Sequence, residues 1–442
     1  MKEDHVERSL SMNALQYAAS HLLYVAGIRK QDIAFDGLTA LAGGISVRFC
    51  APRENAAGDI LQGAAVPTTV SSADGQLCIP LFDGSALCHW EAGVLVLDAD
   101  VLTISFLLMT AYEDTLEGPR DRYDRLSYRN SILAKYNLIE FPLIDEYAML
   151  LRRELQEAGA ALSVHRPRIV PTHDVDNLWR FRSPLSAAKS IIGGDLLHRR
   201  DPAIAADSLR SVMHSRCMPE LDPLNQACIR LCTLSAEHGL TSEFYFLGYG
   251  RDETDWRYDV QQPFVHQLME DLERQGAVIG FHGGMGSYTH AGCYAAQKQR
   301  VDHAYGKTTA CGRQHYLLFS ALETPAILEN AGLHADASLG FFDREGFRCG
   351  TCHPYPLYDL KRDCPLSVME RPLLLMDGTL REYRGLSIDE AMVSARGLLE
   401  RVLAVGGEFV ILWHNGCVHR EWTPWFHQLY VPFIQYAASC CK

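Results

Sequence analysis

The sequence predicts an α/β protein, with a parallel sheet or an α/β barrel in its C-terminal half and a smaller α/β domain before it. Three observations predict this class. Strand-like and helix-like segments alternate after about residue 160, as in folds built on a parallel sheet. The segment EFVILWHN is almost continuously apolar, which is typical of a strand buried on both faces. Ser387-Ile388-Asp389-Glu390 is a capping-box pattern, which begins a helix that should end at Gly406.

The first 160 residues are expected to form the smaller domain. Apolar residues recur at helical spacing over residues 11–28, which predicts a helix that ends near Gly27. Further helices are expected over residues 98–113 and 142–158, and strands over residues 45–49 and 77–81. The segment HRPR then leads into a new apolar strand, so we divide the chain into domains at 1–160 and 161–442.

The second domain alternates strands with helices along its length. Strands are expected in RIVPTHDVD, SEFYFLG, AVIGFH and EFVILWHN, and helices over residues 264–275, 294–305, 321–332 and 388–405. In such folds the reactive side chains gather at the carboxyl ends of the strands. Polar side chains occur at or after several predicted strand ends, namely Asp174, Asp176, His282, Arg313, His315 and His414. This coincidence is the strongest functional signal that the residues give by themselves.

Composition and charge exclude several classes of protein. The 442 residues carry 41 Lys and Arg against 54 Asp and Glu, a net charge of −13, which disfavours binding to nucleic acid or to anionic membranes. The best apolar run, residues 101–112, is shorter than the roughly 18 residues that a membrane span needs. Because MKEDHVERSL lacks the apolar core of a secretory signal, we expect a cytoplasmic protein whose 14 cysteines are reduced.

Asp174 and Asp176 are the first candidate site residues. Alternate residues of an extended segment face the same way, so the two carboxylates should lie a few ångströms apart. They would repel each other unless a cation or a proton lay between them, and a hard metal with attached water satisfies this geometry. The alternative is an Asx turn that closes the strand through Asp176 and Asn177.

The other strand-end residues also have two interpretations each. His282, followed by two glycines that allow close approach of a ligand, could bind a metal through one imidazole nitrogen. His414 would suit a general acid. For each histidine the alternative is a hydrogen-bonded structural residue. Arg313 could hold a carboxylate in a two-pronged pair, or form a surface ion pair.

Cys349-Gly350-Thr351-Cys352-His353 matches the CxxCH pattern of c-type haem attachment. Haem attachment normally requires export, which the sequence does not indicate. A zinc knuckle would need a second cysteine pair at close spacing, which Cys364 alone does not provide. We therefore interpret the pattern as two reduced cysteines in an ordered loop that also presents His353.

The segment from about residue 168 to residue 436 resembles the polysaccharide-deacetylase family of carbohydrate esterases, also called the NodB-homology family. Five segments carry the resemblance in the family's order, namely PTHDVD, IGFHGGMGSY, GRQHYLLF, LHADASLGF and VILWHN. A divergent bacterial branch with an N-terminal extension looks closer still, through GRQHYLLF, DASLGFFDREGFRCGTCHPYP and ERPLLLMDGTL. The resemblance implies a distorted (β/α) barrel of the polysaccharide-deacetylase type behind the N-terminal domain.

The resemblance also implies catalytic roles for four residues. Asp174 matches the base that takes a proton from water, and Arg313 matches the residue that orients this base. His414 matches the general acid that protonates the departing amine. Asp336 matches the residue that positions this histidine. The implied reaction is hydrolysis of an N-acetyl group on a sugar.

The metal site that the resemblance implies is incomplete on the pattern. Asp176 matches the acidic ligand, displaced by the inserted Val175, and His282 matches the first histidine ligand. The family's second histidine would stand four residues later, where this chain has Gly286. A third ligand could come from elsewhere in the chain, from His290, His315 or His353, or water could fill the place. We favour His353, on the loop after the fourth motif.

The sequence thus predicts a metal-dependent carbohydrate N-deacetylase, a hydrolase acting on carbon–nitrogen bonds other than peptide bonds. We expect a divalent metal ion, zinc in the first place, and a carbohydrate or sugar-linked substrate. The alternative, which Gly286 motivates, is a catalytically inactive deacetylase-like protein that binds glycans or serves assembly.

Overall fold

The fold is taken from a computed structural model. It describes residues 10–65, 67–72, 75–80, 87–179, 184–198, 218–249 and 257–441, together with isolated positions between 202 and 212. Most of the elements predicted from the sequence are present, with ends that differ by a few residues. Leu81, the last residue of one predicted strand, lies outside the described residues.

The N-terminal region combines short helices with a small sheet. Its helices are α1 (Met12–Val25), α2 (Ala56–Gln62), α3 (Val101–Met109), α4 (Ile132–Lys135) and α5 (Leu143–Glu157). Its strands are β1 (Ile33–Asp36), β2 (Thr39–Ala42), β3 (Ile45–Phe49), β4 (Pro67–Ser72), β5 (Gly75–Pro80), β6 (Cys88–Glu91) and β7 (Val94–Leu97). The described strands form a mixed five-stranded sheet in the order β1-β2-β3-β7-β6 and a separate β4-β5 hairpin.

The first helix, α1, begins and ends close to the residues that the sequence predicts. The side chain of Ser11 accepts a hydrogen bond from the Ala14 amide and caps the amino end of α1. Gly27, just past the other end, adopts φ +102°, a backbone conformation that side chains disfavour. The 98–113 prediction was too long, because α3 ends at Met109 and Ala111 already has φ +48°.

The second region is built on a nine-stranded sheet. Its strands are β8 (Arg168–Val175), β9 (Glu243–Leu247), β10 (Val278–Gly283), β11 (Cys311–Gln314), β12 (Ala335–Asp336), β13 (Tyr355–Asp359), β14 (Cys364–Glu370), β15 (Leu373–Met376) and β16 (Glu408–Leu412). They lie in the order β13-β14-β12-β11-β10-β9-β8-β16-β15, and every pairing is parallel except that of β13 with β14. The predicted parallel sheet is therefore present.

Helices occupy most connections between these strands. They are α6 (Pro184–Lys189), α7 (Pro223–Glu237), α8 (Pro263–Arg274), α9 (Ala291–Tyr305), α10 (Thr324–Asn330), α11 (Ile388–Val405), α12 (Thr423–Trp425) and α13 (Val431–Cys440). The capping box that begins α11 is formed in both directions between Ser387 and Glu390, as predicted.

The nine-stranded sheet curls until its two ends approach each other. β14 and β15 lie near opposite ends of the strand order, yet only Arg371 and Pro372 separate them along the chain. Glu370 and Leu373 must therefore lie within about 11 Å of each other. The Leu373 amide also donates a hydrogen bond to the Leu339 carbonyl, beyond β12 (3.0 Å). The curling brings strand ends from distant parts of the sequence around one opening.

The N-terminal region packs directly on the curled sheet. Apolar side chains of α1, α3 and α5 belong to the same buried cluster as those of β9, β10 and β16. The Tyr17 hydroxyl donates to the Pro356 carbonyl (2.6 Å), and the Ser11 hydroxyl donates to Asp363 (2.7 Å). Within the described part of the chain, no helix has both the length and the apolar character needed to cross a membrane.

Candidate metal centre

The candidate site lies at the carboxyl ends of the parallel strands. Asp174 and Asp176 stand at the end of β8, His282 is near the end of β10, and His315 directly follows β11. His414 comes two residues after the end of β16, which pairs with β8. Parallel strands end at the same edge of a sheet, so these side chains converge although about 240 residues separate the first from the last.

Asp176, His282 and His315 form a group that could hold a metal ion. Asp176 Oδ1 lies 3.4 Å from His282 Nε2 and 3.6 Å from His315 Nε2. One ligand atom from each residue lies within 4.8 Å of the other two. Asp176 Oδ1 and His282 Nε2 are buried and have no hydrogen-bond partner among the described residues. Buried polar atoms without partners are costly, and a shared cation would satisfy them.

The ring of His282 is oriented for this role. Its Nδ1 lies 2.9 Å from the Arg313 carbonyl oxygen, which can only accept a hydrogen bond. In the neutral, metal-binding form of the ring the proton is therefore on Nδ1, which leaves a lone pair on Nε2 that faces Asp176. A carbonyl behind a metal-binding imidazole is the usual means of fixing its tautomer.

Asp174 lies beside this group and is fixed by Arg313, as the sequence predicted. Arg313 Nη1 donates to Asp174 Oδ1 (2.8 Å), and Arg313 Nε donates to the Ala337 carbonyl (2.7 Å). Both side chains are buried. Burial alone would raise the pKa of Asp174, but His282 and Arg313 outweigh it and hold this pKa below its ordinary value. The ionised form of Asp174 is therefore favoured, and Arg313 fixes the orientation of its carboxylate.

His414 is held by a carboxylate that the sequence analysis missed. Asp377, directly after β15, accepts from His414 Nδ1 (2.8 Å) and from the His414 amide (2.7 Å). The opposite ring nitrogen, Nε2, lies 4.0 Å from Asp176 Oδ2. Burial lowers the pKa of His414, but the charge of Asp377 more than compensates and raises it to about 10.

Asp336, which we expected to position His414, lies elsewhere. Its side chain accepts a hydrogen bond from the Ser338 amide (3.0 Å), and it shares its buried surroundings with Glu370. Burial raises the pKa of Asp336 to about 6 and also raises that of Glu370. The expected positioning contact is made by Asp377 instead, because β15 lies beside β16 with Met376 opposite Leu412.

The structure does not bring His353 to the candidate metal centre. This side chain is buried against the N-terminal region, where it groups with Asp145 and Cys352, and its Nε2 lies 3.1 Å from the Val405 carbonyl oxygen. His290 is exposed and contacts the Gly286 carbonyl. Of the three histidines considered for the third ligand, His315 is the one that lies beside Asp176 and His282. Cys349 and Cys352, the two cysteines of the CxxCH pattern, are both buried.

A cavity of about 330 Å³ opens onto these residues. Asp174, Asp176, His315 and His414 all contribute to its wall. Among the described residues, aromatic and apolar side chains also line it, namely Tyr316, Leu317, Met376, Tyr383, Leu412 and Trp422. The cavity has the size and the mixed lining of a site for a small organic ligand.

Fold and site together define a class: an α/β protein with a candidate centre for a divalent cation at the ends of its parallel strands. Residues 4–160 match the model of a family of unknown function, DUF7033. No curated protein matches the sequence.

Three solved structures resemble part of this chain, each at low sequence identity. A probable polysaccharide deacetylase from Pseudomonas aeruginosa PAO1 is 12% identical, covering 62% of this chain and 86% of its own, with a TM-score of 0.38. A family 4 carbohydrate esterase from Streptomyces lividans, in complex with acetate, is 12% identical, covering 62% and 87%, with a TM-score of 0.28. A 4-alpha-glucanotransferase from Thermococcus litoralis is 11% identical, covering 62% and 38%, with a TM-score of 0.36. At these TM-scores the similarity does not decide the activity.

Proposed function

We propose that this chain is a metal-dependent hydrolase that removes N-acetyl groups from a carbohydrate or a sugar-linked compound. One observation carries the proposal. A three-residue metal group lies beside a carboxylate held by an arginine and an imidazole held by a second carboxylate, and Asp174, Asp176, His315 and His414 line one cavity. Metal-assisted hydrolysis of an amide uses this set: a cation, a base and an acid.

The residues that would hold the ion are Asp176, His282 and His315. One carboxylate oxygen and two imidazole nitrogens form a donor set typical of catalytic zinc, in which three protein ligands leave a position open. We therefore expect zinc in the first place. An ion bound here supplies Lewis-acid polarisation of the acetyl carbonyl and activation of water.

The chain's own residues would move the protons. Asp174, ionised and fixed through Oδ1 by Arg313, accepts a proton from the attacking water on Oδ2. His414, protonated and held through Nδ1 by Asp377, donates its Nε2 proton to the amide nitrogen as the carbon–nitrogen bond breaks. Acetate and a free amine leave. Each proton transfer typically accelerates a reaction by about 10²- to 10⁴-fold.

The surroundings support a sugar as the substrate. Tyr383 and Trp422 line the cavity beside the reactive groups. Aromatic faces pack against the apolar faces of sugar rings, while their polar tips remain available for hydroxyl groups. The described cysteines are free thiols, which agrees with the cytoplasmic location that forms part of this proposal.

Metal content and acetate release test the proposal together. The purified protein, stripped with a chelator and reloaded, should bind close to one Zn²⁺ per chain. Acetate release is then measured on a panel of N-acetylated sugars, sugar nucleotides and lipid-linked sugars. Asp174→Asn, which keeps the shape but not the basicity, should abolish release and leave Zn²⁺ bound. His290→Ala, on an exposed histidine outside the site, is the matched control.

Two results would contradict the proposal. A protein that binds no Zn²⁺, Co²⁺ or Ni²⁺ would point to the inactive glycan-binding alternative. Undiminished acetate release by Asp174→Asn would show that the base is another group.

A further inference from the structure

The backbone that follows His315 is held in an unfavourable conformation. Tyr316 has φ +60° and Leu317 has φ +57°, both in the left-handed region that residues with side chains rarely adopt. Such conformations persist when the surrounding structure fixes them, and they concentrate at functional sites. Tyr316 directly follows a residue of the proposed metal centre and its ring stacks on the His315 imidazole, so the place of this ring constrains that imidazole.

The contacts that fix Tyr316 come in large part from the N-terminal region. Arg125 Nη1 donates a hydrogen bond to the Tyr316 carbonyl oxygen (3.0 Å). The Tyr123 ring stacks on the Tyr316 ring, with centroids 4.5 Å apart and planes 17° apart. The imidazole of His315 also stacks on Tyr316, at 4.0 Å and 27°. From the second region, Arg257 donates to the Tyr316 hydroxyl (3.1 Å).

Arg125 is itself firmly placed before it reaches Tyr316. Asp121 accepts from its Nε (3.0 Å) and its Nη2 (2.7 Å), and the Asp121 amide donates to the Arg125 carbonyl (3.1 Å). The guanidinium lies 3.7 Å from the centre of the Phe342 ring, and Nη2 also donates to the Tyr383 hydroxyl (3.2 Å). The side chain is 8% exposed. A guanidinium held on so many sides presents its remaining donor at a fixed point.

We infer that the loop of residues 117–126 positions the third metal ligand, so that the N-terminal region completes the metal centre of the second region. Arg125 holds the Tyr316 carbonyl and Tyr123 holds its ring, which together keep the His315 imidazole directed at Asp176. Both are positioning residues, because they act through Tyr316. The inference rests on the proposed function, since it concerns how a ligand of the same metal centre is positioned.

Metal affinity distinguishes this role from a merely structural one. Zn²⁺ affinity of the full chain is measured by competition with a chromophoric chelator, and ligand geometry by the visible absorption of bound Co²⁺. Residues behind a metal ligand typically contribute 10- to 100-fold to affinity. We expect Arg125→Ala to weaken Zn²⁺ binding at least tenfold and to change the Co²⁺ spectrum. Arg125→Lys, which keeps one donor, should recover part of the loss.

Tyr123 offers a second test that leaves the Arg125–Asp121 pair intact. Tyr123→Ala should weaken Zn²⁺ binding severalfold, whereas Tyr123→Phe, which retains the stacked ring, should bind as the wild type does. Arg120→Ala is the matched control in the same loop, because Arg120 donates to the Asp114 and Leu116 carbonyls and not to Tyr316. It should stay within twofold of the wild type.

The outcomes separate the inference from the proposed function. If the wild type binds no metal, the proposed function fails and the inference fails with it. If the wild type binds Zn²⁺ and both Arg125→Ala and Tyr123→Ala bind it within twofold with an unchanged Co²⁺ spectrum, the inference alone is overturned. Should Arg125→Ala not fold, the half-buried Tyr123 still decides between these results.

Discussion

Gly312→Ala is expected to damage the site although it adds a single methyl group far from any reacting atom. Gly312 lies on β11 directly opposite Phe281 of β10, in the register that also pairs His282 with Arg313. A Cβ built on Gly312 would stand 2.2 Å from the Phe281 carbonyl oxygen. This obstacle is backbone in a neighbouring strand, so no side-chain rotation can relieve the clash.

The size of the effect follows from the geometry. Ordinary contacts of a Cβ begin near 3.4 Å, so the strands must separate by about 3.4 − 2.2 = 1.2 Å at this point. Overpacking of this kind costs about 1–3 kcal/mol, and we expect about 3 kcal/mol because the clash involves backbone. The side chains of a functional site tolerate displacements of only about 0.5 Å from their working positions. The shift between the strands carrying His282 and His315 should therefore also lower metal affinity.

Urea unfolding and Zn²⁺ titration measure the two consequences. Gly292→Ala is the matched control, because its Cβ would meet nothing within 4 Å on an exposed helical position. It should change the free energy of unfolding by less than about 1 kcal/mol and leave Zn²⁺ affinity unchanged. The reasoning is refuted if Gly312→Ala behaves like this control in both measurements.

Further predictions concern the site residues themselves. His315→Ala removes a proposed ligand and should weaken Zn²⁺ binding more than about 100-fold, the upper limit for residues that only support a ligand. His353→Ala should leave Zn²⁺ affinity within twofold of the wild type. Competition with a chelator measures both affinities. In the metal-free wild type, His414 keeps its proton to about pH 10. The unfolded chain releases this proton near pH 6.5, so wild-type stability should fall as the pH rises from about 6.5 to 10. Asp377→Asn should reduce this fall, because it removes the largest of the charges that raise the pKa of His414; histidine NMR titration and urea unfolding across this range would show it. Arg313→Ala leaves a buried carboxylate uncompensated and should cost about 3–5 kcal/mol in unfolding free energy, and a loss below 1 kcal/mol would contradict the buried ion pair.

Local patterns predicted the strands and several of the residues that converge. Asp174, Asp176, His282 and His414 stand at strand ends that periodicity alone could locate, and the parallel arrangement then places them at one edge. The Arg313–Asp174 contact was predicted through family resemblance and is present. These features depend on short stretches of sequence together with one general rule of parallel sheets.

The positioning of His414 could not be predicted, because it depends on which strands are neighbours. Asp336 stands in the motif LHADASLGF and Asp377 follows the apolar segment LLLM, and neither stretch says which of the two will lie beside β16. β15 pairs with β16 while β12 pairs with β11 and β14, so Asp377 lies beside His414 and Asp336 does not. Strand order is a property of the whole sheet. The local sequence ERPLLLMDGTL therefore does not show that its aspartate, Asp377, will lie beside His414.

The place of His353 could not be predicted for a related reason. His353 belongs to a loop whose place is decided by the N-terminal region, where Asp145 accepts hydrogen bonds from Thr351 and from the Cys352 amide. A docking surface between distant segments leaves no periodic signal. His315, by contrast, follows β11 directly, and its place in the motif GRQHYLLF was the available sign.

The unbroken apolar cluster shared by α1, α5 and the curled sheet limits how this protein could be cut or recombined. A C-terminal half severed at residue 160 would expose to water the faces now covered by these helices, and the Pro356 carbonyl would lose the hydroxyl of Tyr17. In a chimaera, a foreign amino-terminal half would have to present an apolar surface of the same shape to the curled sheet. The C-terminal half is therefore expected to fold properly only with its own amino-terminal half.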